Sequence, residues 1–493
     1  MTLIAGIKHL RDGIEAQSVL PADMSIVGIV GTAPNADAAK FPVNTAVALD
    51  TNDTTLRASL GTTGTIVDAL AGISAQLSGG IGAAKCVIVR VADDEDPFEV
   101  ISNIIGVEAN GTGVWALLDA PENLGRTPRL LVVPGFTSQS QNGIADPEIT
   151  GAGSGGENGT FALAFTGGTG SGAAGTFTVS GGELTSITIT NRGVYTVAPS
   201  LDFSASTDLT GATATVALEQ LANGVCAIMP TICERLKAHF LPEGPTNTRQ
   251  AYLDWLETVP RSSRIIHPLR QDAKILVSGE TVTKPLSPYI IGRYVARDAE
   301  FDGKPFHSIA NQPINGIVGV SPVIPFSITD ENSVGQQDLA VSAGIVFRGD
   351  IGVDGSLTDG GFAFWGTDTL SDLSEWVFSN VTRGRDYIEL LQVKAVRKYL
   401  GRFNLTSQTI QAIFNTLDVQ LSELQANGDI LGYAVKFDPD VNTEAELRQG
   451  NIDITFEAEE PPVLRKVTLR SRRQAAALTA LVQNISLQLG TAA

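Results

Sequence analysis

Histidine, cysteine and methionine are scarce in this 493-residue chain, at four, three and three residues. Cys86, Cys226 and Cys233 form no CxxC pair, and the histidines lie far apart in sequence, so a zinc centre is not expected. Three cysteines cannot all pair within one chain. Cys86 opens an apolar strand, and Cys226 and Cys233 stand at i, i+7 of an expected helix. Two readings follow: buried inert thiols, or an inter-subunit disulfide through one of the three.

Long apolar runs are missing as well. Ile26–Val30 and Cys86–Val89 fall far short of the roughly 18 residues needed to span a bilayer. The opening MTLIAGIKHLRDG carries His, Lys, Arg and Asp too early for a signal peptide. A soluble protein made in a cytoplasm, with no membrane insertion, is the expectation. Basic residues are outnumbered, 34 Lys and Arg against 53 Asp and Glu, for a net charge of −19. That balance argues against a nucleic-acid partner, since phosphate binding needs a cationic face. A hydrophobic content of 43% against 18% charged excludes a mainly disordered chain. The length points to two to four domains.

Signals for catalysis are weak. Gly151, Gly153 and Gly156, and again Gly170, Gly172 and Gly175, match GxGxxG, but their flanks are Gly/Thr/Ser coil. A pyrophosphate site needs a strand before such a turn and a helix after it. There is no P-loop. Of His9, His239, His267 and His307, the two on expected strands, His239 and His267, lack an acid or nucleophile at i+2, and all four read as satisfied or surface histidines. Asp93–Asp96 lacks the spaced ligands and turn glycine of a calcium loop, Asp438–Glu446 lacks the glycine and the distal Glu, and both read as solvated acidic turns. No catalytic residue, metal or cofactor is expected.

Ser25–Thr32, Cys86–Val91 and Arg129–Val133 read as buried strands, and Gly64–Leu77 as a helix ending near Gly79-Gly80. This alternation implies an α/β layer with parallel pairing. It breaks between Gly151 and Ser200, where 50 residues hold 13 glycines, nine threonines and three charges in short alternating strands. It resumes with helix Gly224–Lys237, strand Ala238–Leu241, helix Thr246–Val259 and strand Arg264–His267. Towards the C-terminus come helices Asp386–Gly401 and Thr406–Gln425, then strands Leu431–Phe437, Asn451–Glu457 and Val463–Arg470. Gln474–Leu489 is alanine-rich and then alternates as NISLQL. The expected fold is α/β and α+β, multidomain: an arm at 1–24, a discontinuous α/β core at 25–140 plus 217–350, an inserted all-β domain at 141–216, and a C-terminal α+β domain at 351–493.

Two basic clusters stand out in so acidic a chain. Arg383, Arg385, Lys394, Arg397, Lys398 and Arg402 face only two acids between 383 and 402, and Lys394, Arg397 and Lys398 share a helix face. Either this is a solvated face or it meets an acidic partner. Arg465, Lys466, Arg470, Arg472 and Arg473 follow Glu457, Glu459 and Glu460, and could pair with them within or between subunits.

Five elements in one order then resemble the contractile tail sheath proteins of bacteriophages. They are IVGIVGTAPNAD with FPVNTAVAL; LGTTGTIVDALAGI with AAKCVIVRV; GRYVARDAEFDGKPFHSIANQPINGIVGV; WGTDTLS with NVTRGRDYI; and NTEAELRQGNIDITFEAEEPPVLRKVTL. Thr367-Asp368 departs from the pattern, standing where the family often has an arginine before Thr-Leu. LTSITITNRGVYTVAP also resembles a short β repeat of exposed phage appendages, which suggests an outward decoration.

The resemblance implies a structural protein and not an enzyme, located in a virion tail and assembled in a host bacterial cytoplasm. Its subunits would form hexameric rings or a six-start helix around a tail tube, with baseplate and tail terminator proteins as further partners. A metastable extended polymer would contract to drive the tube through the host envelope. Terminal arms, here 1–24 (especially Gly13–Val19) and part of Val463–Leu489, would add strands to neighbouring C-terminal sheets. The 383–402 cluster would grip the tube, with 465–473 as the rival tube or inter-subunit contact. The alternative reading is a tail fibre or adhesin-type surface-binding protein, suggested by the Gly/Thr-rich β segment.

Overall fold

Val27–Thr32 is uncharged, and all six of its residues are buried in the middle of a five-stranded sheet. In the computed structural model, which describes residues 22–77, 82–348 and 361–490, this strand runs parallel to Lys85–Val91 and to Leu130–Val132. His239–Phe240 continues the parallel pairing beyond Leu130, and Ala46–Asp50 closes the other edge antiparallel to Lys85–Val91. Alternation divides the side chains between two cores, as expected when a parallel sheet is covered on both faces. Val27, Ile29, Cys86 and Ile88 pack with the helices Thr65–Ala75 and Ser287–Glu300. Val30, Val87 and Val89 pack with Pro97–Ile105, Gly224–Leu236 and Arg249–Thr258. The first pair of helices crosses closely: a Cβ on Gly292 would lie 2.8 Å from the Ile73 Cα.

Between Leu130–Val132 and Gly224–Leu236 the chain is all β. Its entry and exit pair with one another, Asn142–Ile144 with Leu218–Gln220 and Glu148–Ser154 with Thr210–Thr215. A long hairpin, Thr169–Ser180 with Glu183–Val197, turns through Gly181-Gly182 at φ +67° and +83°, the left-handed backbone that tight hairpin turns require. Phe177, Val179, Leu184 and Leu163 form a small core of its own. Gly151 and Gly153, and Gly170, Gly172 and Gly175, lie in these strands, so neither GxGxxG run opens a helix.

Helix Ser379–Arg397 begins seven residues before the expected start at Asp386. Its first turns hold weak helix formers, Ser379, Asn380, Val381 and Thr382, all buried, so tertiary packing overrides propensity there. Ser407–Ala426 follows, with Thr406 accepting from the Thr409 amide as N-cap. Gly432–Lys436 and Thr455–Glu459 form a two-stranded antiparallel sheet. Tyr387, Ile388, Leu391, Leu421, Leu424 and Ile430 make the local core, joined by Met24.

Three expectations are corrected. Arg264–His267 is no strand: Ile265 bridges Phe240 and Ile266 bridges Thr369, one residue each. Val463–Arg470 forms no strand, because nothing within the described chain pairs with it. NISLQL is helical, within Ala475–Gly490. Residues up to Pro461 form one compact unit and Pro462 onward a second. The expected helix cap at Gly79-Gly80, His9 and the arm residues Gly13–Val19 lie outside the described residues.

Candidate functional site

The NVTRGRDYI run lies along one helix whose charged residues reach in several directions. Arg383 is fully buried. Its Nη1 and Nη2 donate to Asp298 Oδ1 and Oδ2 at 3.1 and 2.6 Å, Nη2 also donates to the Met24 carbonyl at 3.3 Å, and the guanidinium sits 4.7 Å from the centre of the Tyr294 ring. Ser25 Oγ donates to Asp298 Oδ2 at 2.9 Å. Burial works against the Arg383 charge, but Asp298 beside it more than offsets this and holds its pKa above the ordinary value. Three parts of the fold are thereby tied together: helix 379–397, helix 287–300 and the lead-in to the central strand.

Arg385 does the same for the C-terminal sheet. Its Nε and Nη2 donate to the buried Glu460 carboxylate at 2.8 and 2.9 Å, and Nη2 donates to the Ala458 carbonyl at 2.6 Å. Asp386 accepts from Arg264, whose Nε donates to Glu234 at 2.7 Å. Glu389 pairs with Lys237. One helix thus holds the α/β layer and the C-terminal sheet in a single ionic network. Each is bidentate to a buried carboxylate, Arg383 from a fully buried and Arg385 from a half-buried position, and both act as joints of the subunit. Arg383 has no surface to offer a tube, contrary to its expected role.

The rest of the basic cluster points outward. Lys394, Arg397 and Arg402 are exposed and Lys398 is half-buried. Arg465, Lys466, Arg470, Arg472 and Arg473 are all exposed in the stretch after Pro462, which has no regular structure. Glu457 pairs with Lys436, and Glu460 with Arg385. The sheet of 432–436 and 455–459 has no third strand among the described residues. Unpaired edges of this kind are templates for another chain.

Cys86, Cys226 and Cys233 are free and 0% exposed. Burial pushes the Cys86 thiol up to about 12 and raises the other two as well. None can reach another subunit without opening a core, so the inter-subunit disulfide is corrected to buried thiols.

His239 is buried beside the Arg264–Asp386 pair, and burial, then Arg264 and Arg383, hold its pKa well below 6.5. His267 Nε2 lies 2.6 Å from the Tyr294 hydroxyl and 3.2 Å from Ser379 Oγ. His307 packs edge-on against Phe301. Asp96 caps helix 97–105 through the Phe98 amide, and Asp438 accepts from the Asp440 amide, so both acidic runs shape turns. Among the described residues no group of three His, Cys, Asp or Glu is arranged to hold a metal. The sequence offered Glu460 only as a partner for the 465–473 cluster, and gave Asp298 no role. The available signal was Asp298 lying inside GRYVARDAEF, one of the family-like elements.

No protein-family model matches the chain. Among curated proteins, the tail sheath protein of Escherichia phage P2 is 24% identical over 98% of both chains. The major tail sheath protein of Serratia phage KSP20 is 23% identical over 94% of this chain and 93% of its own. A 230-residue stretch matches a prophage major tail sheath protein of Pseudomonas aeruginosa at 25% identity, 46% of this chain and 56% of that one. Among solved structures, the contracted sheath complex of the extracellular contractile injection system PVC aligns at TM-score 0.57 and 12% identity, covering 97% of this chain and 99% of that one. The contracted helical sheath of the anti-feeding prophage aligns at TM-score 0.55 and 14% identity, covering 96% of this chain and 100% of that one. The likeness carried by the five elements thus extends end to end, in sequence and in fold, and the chain is a homologue of the tail sheath proteins of phages and prophages.

Proposed function

We propose that this protein is the structural subunit of a contractile sheath around a phage-type tail tube. The observation that carries the reading is the end-to-end match to tail sheath proteins, 98% of both chains for the P2 relative. The two-stranded C-terminal sheet with its unpaired edges, followed by an exposed segment from Pro462 onward, supports it. Such edges and tails are what strand addition between copies uses.

In this reading the terminal arms, 1–24 and the 463–470 stretch, add strands to the 432–436/455–459 sheets of neighbours. The copies stay linked while rigid bodies move. The α/β region 25–140 plus 217–350, the decoration 141–216 and the C-terminal region 351–493 are the moving parts. The polymer is a set of hexameric rings or a six-start helix, assembled in the host cytoplasm, with tube, baseplate and terminator proteins as partners. Lys394, Arg397, Lys398 and Arg402 face an acidic tube surface. The energy of contraction resides in the lattice and no catalysis is involved.

Negative-stain electron microscopy of the purified protein, alone and with tube protein, tests this. Hollow cylinders are expected. Small particles that persist in the presence of tube protein would remove the sheath reading.

A further inference from the structure

Met24 and Pro461, near opposite ends of the chain, are held by the first two turns of one helix, Ser379–Arg397. Met24 is buried in one cluster with Tyr387, Ile388 and Leu391, and its carbonyl accepts from Arg383 Nη2 at 3.3 Å. Arg385 donates to the Ala458 carbonyl and the Glu460 carboxylate. Asn380 Nδ2 donates to the Pro461 carbonyl at 3.2 Å and to the Phe306 carbonyl at 3.1 Å. Residues two apart on a helix stand about 200° apart, so Arg383 and Arg385 reach opposite ways. Gly384 between them lets the helix close on its neighbours: a Cβ there would lie 2.7 Å from the Phe306 ring and 3.4 Å from Glu460 Cγ. Asn380 Oδ1 is buried without a donor among the described residues, a cost set against what its amide holds.

We propose that Asn380, Arg383 and Arg385 form a clasp that carries tension: a pull on the chain before Met24 or after Pro461 enters helix 379–397 and crosses it to the other side. The strands next to these points need such relief. Val27–Thr32 is shared by both cores of the α/β layer, so its displacement would open both. Thr455–Glu459 is half of a two-stranded sheet, which is marginal by itself. Pulled at its end, that sheet would peel one hydrogen bond at a time, whereas the clasp has to lose several together. The order along the chain puts the clasp first. A pull arriving from residue 462 meets the bonds at Pro461 and Glu460 before it reaches Glu459. One arriving from residue 23 meets the Met24 carbonyl and the Ser25 hydroxyl, bonded to Arg383 and to its partner Asp298, before it reaches Val27. Two-point hydrogen bonds to charged groups are the stronger kind, and burial strengthens them further. The inference rests on the sheath reading, in which neighbours hold both ends of each copy and every copy is a link under load.

Optical tweezers holding the isolated full-length chain by tags at its two ends test the clasp. Glu460→Ala removes the carboxylate and leaves the half-buried Arg385 able to reach water, while Asn380→Ala removes the contacts to Pro461 and Phe306. At constant force, both are expected to speed the first cooperative rupture, Glu460→Ala roughly tenfold, as for loss of a hydrogen bond between charged groups. A second pulling direction separates tension from plain stability. Handles on Asp94→Cys and Glu280→Cys, exposed positions in the α/β region, attach there alone because the native thiols are buried. Between those handles the same variants should change the rupture rate by no more than about twofold, as for distant independent sites. An equal rise in both directions would make the contacts stabilising only and overturn the clasp, and so would an unchanged rate on pulling from the ends. If circular dichroism shows Glu460→Ala unfolded, Asn380→Ala decides by the same comparison. No polymer is needed, so the two readings are scored apart. Cylinders together with a failed pulling test strike the clasp alone, and small particles together with a passed one strike the sheath reading alone.

Discussion

The Arg383 guanidinium and the Asp298 carboxylate, 85 residues apart, meet through two hydrogen bonds of 3.1 and 2.6 Å with neither side chain reaching solvent. A buried pair of this kind is costly to break from one side, because the remaining charge has neither water nor partner. Asp298→Ala is expected to destabilise the subunit by about 3–5 kcal/mol. Replacing both partners, Arg383→Met with Asp298→Leu, should cost much less. Urea unfolding of the two variants checks the order. Equal stability of Asp298→Ala and the parent would show that the pair does not hold the joint.

His239 gives the subunit an acid sensitivity. Its folded-state pKa is held well below 6.5 by burial and by Arg264 and Arg383, so below about pH 6.5 the unfolded chain takes up a proton that the folded chain refuses. Its contribution is full above that value and is lost as pH falls, with a slope approaching about 1.4 kcal/mol per pH unit. Unfolding measured at pH 7.5 and 5.5 should show a smaller loss for His239→Gln than for the parent. Identical losses would rule out this residue as the cause.

The β segment leaves and rejoins the body at a narrow neck, with the Ala145 amide donating to the Ala217 carbonyl at 3.0 Å. Chain ends this close are easily bridged. Replacing residues 146–216 with Asn-Gly should leave a cooperatively folded remainder that still forms cylinders. A remainder that assembles supports a decoration. Aggregation of the remainder, measured by light scattering, would make the segment part of the subunit's core.

Charge reversal tests the outward cations. Lys398→Glu with Arg402→Glu changes two side chains at the end of helix 379–397 that are outside the Arg383 and Arg385 joints. Folding by circular dichroism should be unchanged, while tube-templated assembly weakens and the parent protein's assembly falls with added salt. Assembly on tube protein at the parent rate would remove these residues from the contact.

The native thiols offer a control for all of this. Cys86, Cys226 and Cys233 are expected to stay unlabelled by a thiol reagent at pH 8 until denaturant is added, and no reducible ladder should appear on gels. Rapid labelling of the folded protein would place one of them at the surface.

Much of this protein was determined by local pattern. Uncharged β-branched runs such as Val27–Thr32 can satisfy their surroundings in few places other than a sheet interior, and Thr65–Ala75 shows its buried face by spacing alone. The five family-like elements were legible for the same reason, as short runs whose residue types recur in order. Other features were decided by the tertiary structure. Nothing in RGRD says that Arg383 and Arg385 turn inward while Lys394 and Arg402 turn outward, because that depends on Asp298 and Glu460 being brought to the same helix. Ser379–Thr382 is helical because the core encloses it, and Val463–Arg470 is not a strand because a strand needs a partner edge. Periodicity reports burial along one element. Whether a charge is buried, or an edge is paired, is set by elements distant in the chain.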